Sequence, residues 1–173
     1  MKYRIMAAIV LVWTAVFLQS TLLEYIEIFS VRPNLLIVLT VIVALLRSPV
    51  ESAVMGLFLG LAMDILMGKI LGWNGLLFML ITIPISLVNE KLYREKVLVL
   101  LTFTFTSTVL IETLFFLIMY LFKDLSYFPK AFVSIILIEA IYNSILILPL
   151  FKPISGVYTI LDTLDRKRNR LSS

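Results

Sequence analysis

Six apolar stretches, interrupted by nothing more than one acid in three of them, account for most of this chain. They are Ile5–Leu23, Leu35–Leu46, Ser52–Met67 (with Asp64), Ile70–Asn89, Val97–Phe122 (with Glu112) and Ala131–Phe151 (with Glu139). A helix that spans a membrane needs roughly 20 apolar residues, because the hydrocarbon core is about 30 Å thick and each residue rises about 1.5 Å. The composition agrees, with 61% hydrophobic residues, 15% charged residues and a mean hydropathy of +1.07. A soluble domain is about 45–50% apolar and about 25% charged, and a fold this apolar lacks the polar surface that water requires. The expected fold class is therefore all-α integral membrane, with six transmembrane helices. Cysteine and histidine are absent, which excludes thiol nucleophiles, disulfides, imidazole or thiolate metal sites and Ser-His triads. There is no G-x-S-x-G elbow, and only acids are on hand to activate a serine, which argues against an intramembrane hydrolase. No enzyme, cofactor, metal site or nucleic-acid partner is expected.

The second stretch, about 14 residues even with Pro33 and Asn34, is the weak crossing: a short helix with Arg47 reaching for the interface, or a re-entrant segment. Charge placement decides. With six crossings, Lys2, Arg4, Arg47, Lys91, Arg94, Lys96, Lys152, Arg166, Lys167, Arg168 and Arg170 share one side, leaving Arg32, Lys69, Lys123 and Lys130 of the 15 basic residues opposite. If the second stretch does not cross, most basic residues lie opposite Lys2. The positive-inside rule favours six crossings with both termini cytoplasmic. The first stretch is too long for a signal-peptide core and has no A-x-A cleavage site, so it reads as an uncleaved helix.

Pro33, Pro49 and Pro129 stand at helix starts, where a missing N–H costs little, whereas Pro84 lies inside the fourth stretch, where a kink is expected. Gly68, Gly72 and Gly75 suit a tight reversal between the third and fourth helices. The chain is divided here into a transmembrane bundle, residues 1–152, and a cytoplasmic amphipathic helix with a basic tail, residues 153–173. In the latter, Ile154, Val157, Tyr158, Leu161 and Leu164 recur at helical spacing ahead of Arg166, Lys167, Arg168 and Arg170. That cluster reads as attraction to anionic lipid, as a stop-transfer signal, or as a dock for a cytoplasmic partner.

Residues that lipid disfavours mark the candidate site. A carboxylate at mid-bilayer costs about 2.5–3.5 kcal/mol, so such residues usually face a cavity or another helix. In the six-span topology Glu112 and Glu139 lie about 15 and 12 Å from the outer boundary by helical rise. Asn143 is one turn from Glu139 on the same face, and Thr108 one turn from Glu112. Gln19 and Asp64 are shallower, and Arg32, Asn34, Lys69 and Asn74 stand at the rim. These residues predict a polar pocket opening away from the cytoplasm, serving either as interhelical glue or as a binding site for a ligand or a partner helix. In the third helix Ser52, Gly56, Gly60, Asp64 and Gly68 recur every four residues. The GxxxG pair Gly56 and Gly60 lets another backbone come close, whether from within the bundle or from another protein.

Four strings carry a family resemblance: Leu18-Gln19-Ser20-Thr21-Leu22, Val31-Arg32-Pro33-Asn34-Leu35, Gly56 through Gly60-Leu61-Ala62-Met63-Asp64-Ile65-Leu66, and Leu71-Gly72-Trp73-Asn74-Gly75-Leu76. In their order and spacing the chain resembles the MreD family of rod shape-determining membrane proteins. Gly75 stands where the family pattern suggests alanine, and beyond about residue 95 the likeness is mostly hydrophobic pattern, with Glu112 and Asn143 the best single matches. The resemblance implies a non-enzymatic scaffold of the cell-elongation machinery in the bacterial cytoplasmic membrane, taking part in peptidoglycan synthesis. The partners it implies are MreC, MreB, a RodA-type glycosyltransferase and a class B penicillin-binding protein. It further implies a fold similar to the substrate-binding subunits of energy-coupling-factor transporters. On that likeness rests the alternative of a small-molecule-binding subunit of a vitamin-type transporter.

Overall fold

The computed structural model describes residues 2–21, 26–27, 31–68, 71–89, 97–123 and 130–171. Among the described residues six helices follow one another: α1 (Lys2–Thr21), α2 (Leu35–Leu46), α3 (Pro49–Met67), α4 (Trp73–Asn89), α5 (Val97–Lys123) and α6 (Lys130–Leu171). Three of them hold segments long and apolar enough to cross a membrane, Pro49–Met67, Val97–Ile118 and Val133–Asp165, while α1, α2 and α4 carry shorter apolar stretches.

The shortest helix is the centre of the bundle. Every residue of α2 from Leu35 to Leu45 is buried, Thr40 included, and α1, α3, α4, α5 and α6 all pack against it. At 12 residues it rises only about 18 Å, well short of the hydrocarbon thickness. It has no need of more, because protein covers its flanks and its ends. Asn34 caps it, with its side-chain oxygen accepting from Ile37 N–H, and the chain turns into extended backbone at Arg47.

Helices α3 and α4 form the tightest pair. Pro49 opens α3 at a position that needs no donor. Gly68 closes it in the left-handed region at φ 60°, and Gly72 takes φ 104° before α4 begins, so these two glycines make the reversal. Gly75 belongs instead to the first turn of α4, where its missing side chain leaves room for Leu57 and Leu61. Pro84 lies inside α4.

The stripe of small residues on α3 meets α4. A Cβ on Gly56 would stand 2.9 Å from the Phe78 carbonyl oxygen, and one on Gly60 only 2.3 Å from that of Asn74. Where a helix from another protein was an open reading, the seam is filled from within, because α4 follows α3 through a turn of a few residues and reaches it first.

The backbone does not break at Pro153, where the transmembrane bundle is expected to give way to the amphipathic helix. One unbroken helix runs from Lys130 to Leu171, with Pro149 and Pro153 inside it. Each proline removes one N–H from the helical ladder, but Ile147, Phe151 and Ile154 keep packing on the core across both positions, and that packing carries the helix through. The side chains of Arg166, Lys167, Arg168 and Arg170 lie outside the described residues, as do Lys69 and Pro129.

The glycine contacts set a pair of opposed outcomes. Gly60→Ala forces two backbones apart and is expected to destabilise the bundle by about 1–3 kcal/mol. Gly156→Ala, with nothing within 4 Å of the added carbon, is expected to be neutral or to stabilise by up to about 1 kcal/mol through helix propensity. Melting temperatures of the two variants in detergent check this, and equal values would contradict the seam.

Candidate functional site

Polar groups gather at the two ends of α2, about 20 Å apart by helical rise. At its N-terminal end the orphan N–H groups of a helix start need acceptors, and other helices supply them. Gln19 on α1 spans the gap with both halves of its amide, Oε1 accepting from Leu35 N–H at 2.8 Å and Nε2 donating to the Pro33 carbonyl at 3.2 Å. Asn143 on α6 accepts from Asn34 N–H at 2.7 Å and donates through Nδ2 to the Thr108 hydroxyl on α5 at 3.2 Å. Thr108 passes the chain on to the Thr104 carbonyl at 2.9 Å. Asn34, Asn143, Thr104 and Thr108 are all buried, so this relay stitches α2, α5 and α6 together away from water.

Above this stitch opens a cavity of about 590 Å³. Its polar lining includes Gln19, Arg32, Asn34, Glu27, Glu112 and Glu139, and Val31, Met63, Met67 and Ile135 are among its apolar walls. Five of the residues read from the sequence as pocket candidates therefore meet in one cavity: Gln19, Arg32, Asn34, Glu112 and Glu139. Arg32 also lies 3.5 Å from the Glu27 carboxylate, with both side chains partly exposed. Asn143 stands beneath the cavity as part of its support, outside the residues that line it. Size and lining fall within the range of ligand pockets, which run from about 300 to 1,000 Å³ with a few convergent polar groups on apolar walls.

Asp64 and Asn74 play a different part from the one expected. Asp64 is fully buried and faces the start of α4 rather than the cavity. Its carboxylate accepts from Gly72 N–H at 2.8 Å, Asn74 N–H at 3.2 Å, Gly75 N–H at 3.4 Å and Asn74 Nδ2 at 2.9 Å. An anion there meets the positive end of the α4 dipole and its unpaired donors. The acid counted among three converging carboxylates is thus a clasp between α3 and α4, which leaves Glu112 and Glu139 as the intramembrane acids of the cavity. Gly56 and Gly60 belong to the same clasped pair and are not among the residues that line the cavity.

At the other end of α2 the structure holds a cluster that the sequence reading missed. Arg47, expected to reach outward, has a side chain only 9% exposed. Its Nη1 donates to both oxygens of Asp162 on α6, at 2.9 and 3.2 Å, and its Nε lies 3.4 Å from Glu51. The guanidinium carbon sits 4.4 Å above the Tyr158 ring. Ser86 on α4 donates to the Arg47 carbonyl at 2.6 Å, and Ser52 on α3 to the Val43 carbonyl at 3.3 Å. The signal was present in part in the spacing of four between Tyr158 and Asp162, which places both on one face of α6; Arg47 and Glu51 are also four apart, but across the turn from α2 into α3. Among the described residues no group of acids is arranged to hold a metal ion.

The glycine seam, the buried Asp64 and the cavity residues Gln19, Arg32 and Asn34 all fall within the four strings noted in the sequence, while Glu112 and Glu139 lie beyond them. A family model described as rod shape-determining protein MreD matches residues 1–158. The chain belongs to the MreD family. It is accordingly a membrane protein of rod-shape determination, and the clasp, the stitch and the cavity all fall within the matched residues. No curated protein and no solved structure gives a significant match.

The clasp makes a firm prediction. Asp64→Asn replaces two acceptor oxygens with one and turns an NH2 toward N–H donors, so at least one buried donor loses its partner. A loss of about 2 kcal/mol or more is expected, seen as a lower melting temperature in detergent. A variant as stable as the parent would mean that the carboxylate is not what holds the turn.

Proposed function

We propose that this chain is a six-span, non-enzymatic scaffold of the cell-elongation machinery, with both termini cytoplasmic, and that its cavity receives a segment of a membrane-anchored partner. The observation that carries the reading is the cavity itself, where Gln19, Arg32, Asn34, Glu112 and Glu139 converge on a space bounded by α1, α2, α3, α5 and α6. Charge placement supports the orientation, since eleven of the 15 basic residues share the side of the termini. The parallel run of α2 and α6 supports it too. Asn34 pairs with Asn143 and Arg47 with Asp162, so the two helices point the same way, as the second and sixth crossings of such a topology must.

MreC is the partner we assign to the cavity, with MreB on the cytoplasmic side and the RodA-type glycosyltransferase with its class B penicillin-binding protein as the wall-building pair that the scaffold serves. Docking through Gly56 and Gly60 is withdrawn from this reading, because α4 occupies that seam. Apolar walls supply contact area in such a site, and the polar lining supplies orientation, since a buried polar group left unpaired costs more than a matched pair gains. No observation favours the transporter-subunit alternative.

The chain contains no cysteine, so single cysteines introduced at Gln19, Ile135 and Glu139 give clean crosslinking in growing cells. Capture of MreC from these positions, and none from a lipid-facing control at Trp13, is the expected result. Failure at all three while the protein remains folded in the membrane would remove the cavity as the docking site. Orientation is checked separately with a reporter fused after Ser173. Activity in the cytoplasm is expected, and a periplasmic signal would invert the bundle.

A further inference from the structure

Beyond Phe151, α6 carries three distinct faces. Phe151, Ile154, Tyr158 and Asp162 fall on the first, and Ile154 packs on the core while Tyr158 and Asp162 meet Arg47. Val157, Ile160 and Leu164 form the second, all of them exposed. Lys152, Thr159 and Thr163 form the third, also exposed. At about 3.6 residues per turn these faces stand roughly 120° apart. A helix sunk in hydrocarbon has no use for the third face, and a helix in water exposes the second at a cost. The boundary between lipid and water is the environment that suits both.

Length leads to the same place. At 42 residues α6 measures about 63 Å along its axis, more than a bilayer of about 40–45 Å including its headgroups. Part of it therefore leaves the hydrocarbon, and the basic end of the sequence matches the negative potential of a cytoplasmic leaflet.

We propose that Arg47 acts as a roll clamp, turning the end of α6 so that Val157, Ile160 and Leu164 lie in the inner leaflet of an anionic bilayer while the polar face meets headgroups and water. Arg47 grips two residues one turn apart on one face, Tyr158 by its ring and Asp162 by its carboxylate. A rotation of a third of a turn loses both contacts. Glu51 holds the guanidinium from the other side, and Ser86 holds the Arg47 backbone, so the grip is anchored in α2, α3 and α4 together. Ile154 packs on the core one turn before Tyr158, and the clamp carries that registration on to Asp162, about two turns beyond Ile154. With it, the surface offered to lipid is set by the bundle. The inference rests on the cytoplasmic orientation of the C-terminus and is independent of which partner fills the cavity.

Full-length protein, free of native cysteine, takes single spin labels at Val157, Ile160, Leu164, Thr159 and Thr163 and is reconstituted in vesicles of phosphatidylglycerol and phosphatidylethanolamine. Collision with oxygen and with a water-soluble nickel chelate is then read at each position. Oxygen is expected to dominate at 157, 160 and 164, and nickel at 159 and 163. In Asp162→Asn, whose partly exposed side chain makes it the milder lesion, the contrast between the two faces falls at least twofold. Arg47→Gln does the same if its yield permits, and phosphatidylcholine vesicles weaken the contrast in the parent. Nickel reaching all five positions, or oxygen dominating at all five, overturns the placement at the interface. An unchanged contrast in Asp162→Asn overturns the clamp, and one unchanged in phosphatidylcholine overturns the anionic lipid. A failed crosslink at the cavity leaves all of these readings intact, so the two proposals fail separately.

Discussion

A helix shorter than the hydrocarbon layer is thick, buried at the centre of a membrane protein, governs the rest of this structure. In hydrocarbon every backbone N–H and C=O must find a partner inside the protein, and the ends of a helix leave several of each without one. In a helix of full length those ends reach the headgroups. The 12 residues of α2 stop short, so the protein supplies the missing partners: Gln19, Asn34 and Asn143 at one end, Ser52 and Ser86 at the other. The buried Asn34, Ser52, Ser86 and Asn143 follow from that one geometric shortfall.

The same shortfall produces the cavity. The chain leading into α2, Val31 to Asn34, lines the cavity together with residues of α1, α3, α5 and α6, and polar side chains rather than another helical turn face that space. The polar floor is needed for stability whatever occupies the space, and a partner segment placed there meets groups already held in position by packing. Structural glue and binding site are therefore two uses of one arrangement. The residues divide between them by depth, with Asn143, Thr108 and Thr104 forming the support and Arg32, Glu112 and Glu139 the lining.

Asp64 and Arg47 show how charge is tolerated in such a setting. Each is buried or nearly so, and each is surrounded by several partners rather than one. The carboxylate of Asp64 takes four donors at the start of α4. The guanidinium of Arg47 takes a carboxylate on either side and a ring below it. Ions taken out of water cost several kcal/mol unless geometry and hydrogen bonds compensate. In both cases the compensation ties together segments that are separate in the chain.

Much was legible in the residues alone. Apolar runs located all six helices, and the boundaries of α2 and the start of α5 fall where charge and apolarity change, because a bilayer penalises each misplaced charge by kilocalories and leaves sharp edges in the sequence. Gly68 and Gly72 announced the reversal that their positive φ values confirm, and spacing placed Thr108 with Glu112 on one face of α5 and Glu139 with Asn143 on one face of α6. What the chain could not disclose was partner choice. Asp64 reads equally well as a pocket acid or a helix clasp, Gly60 as an internal or an external seam, and Arg47 as snorkelling or clamped. Periodicity assigns a side chain to a face of its own helix. Only the packing of six helices decides what that face meets, and here it sent α4 to the glycines, the start of α4 to Asp64, and the far end of α6 to Arg47.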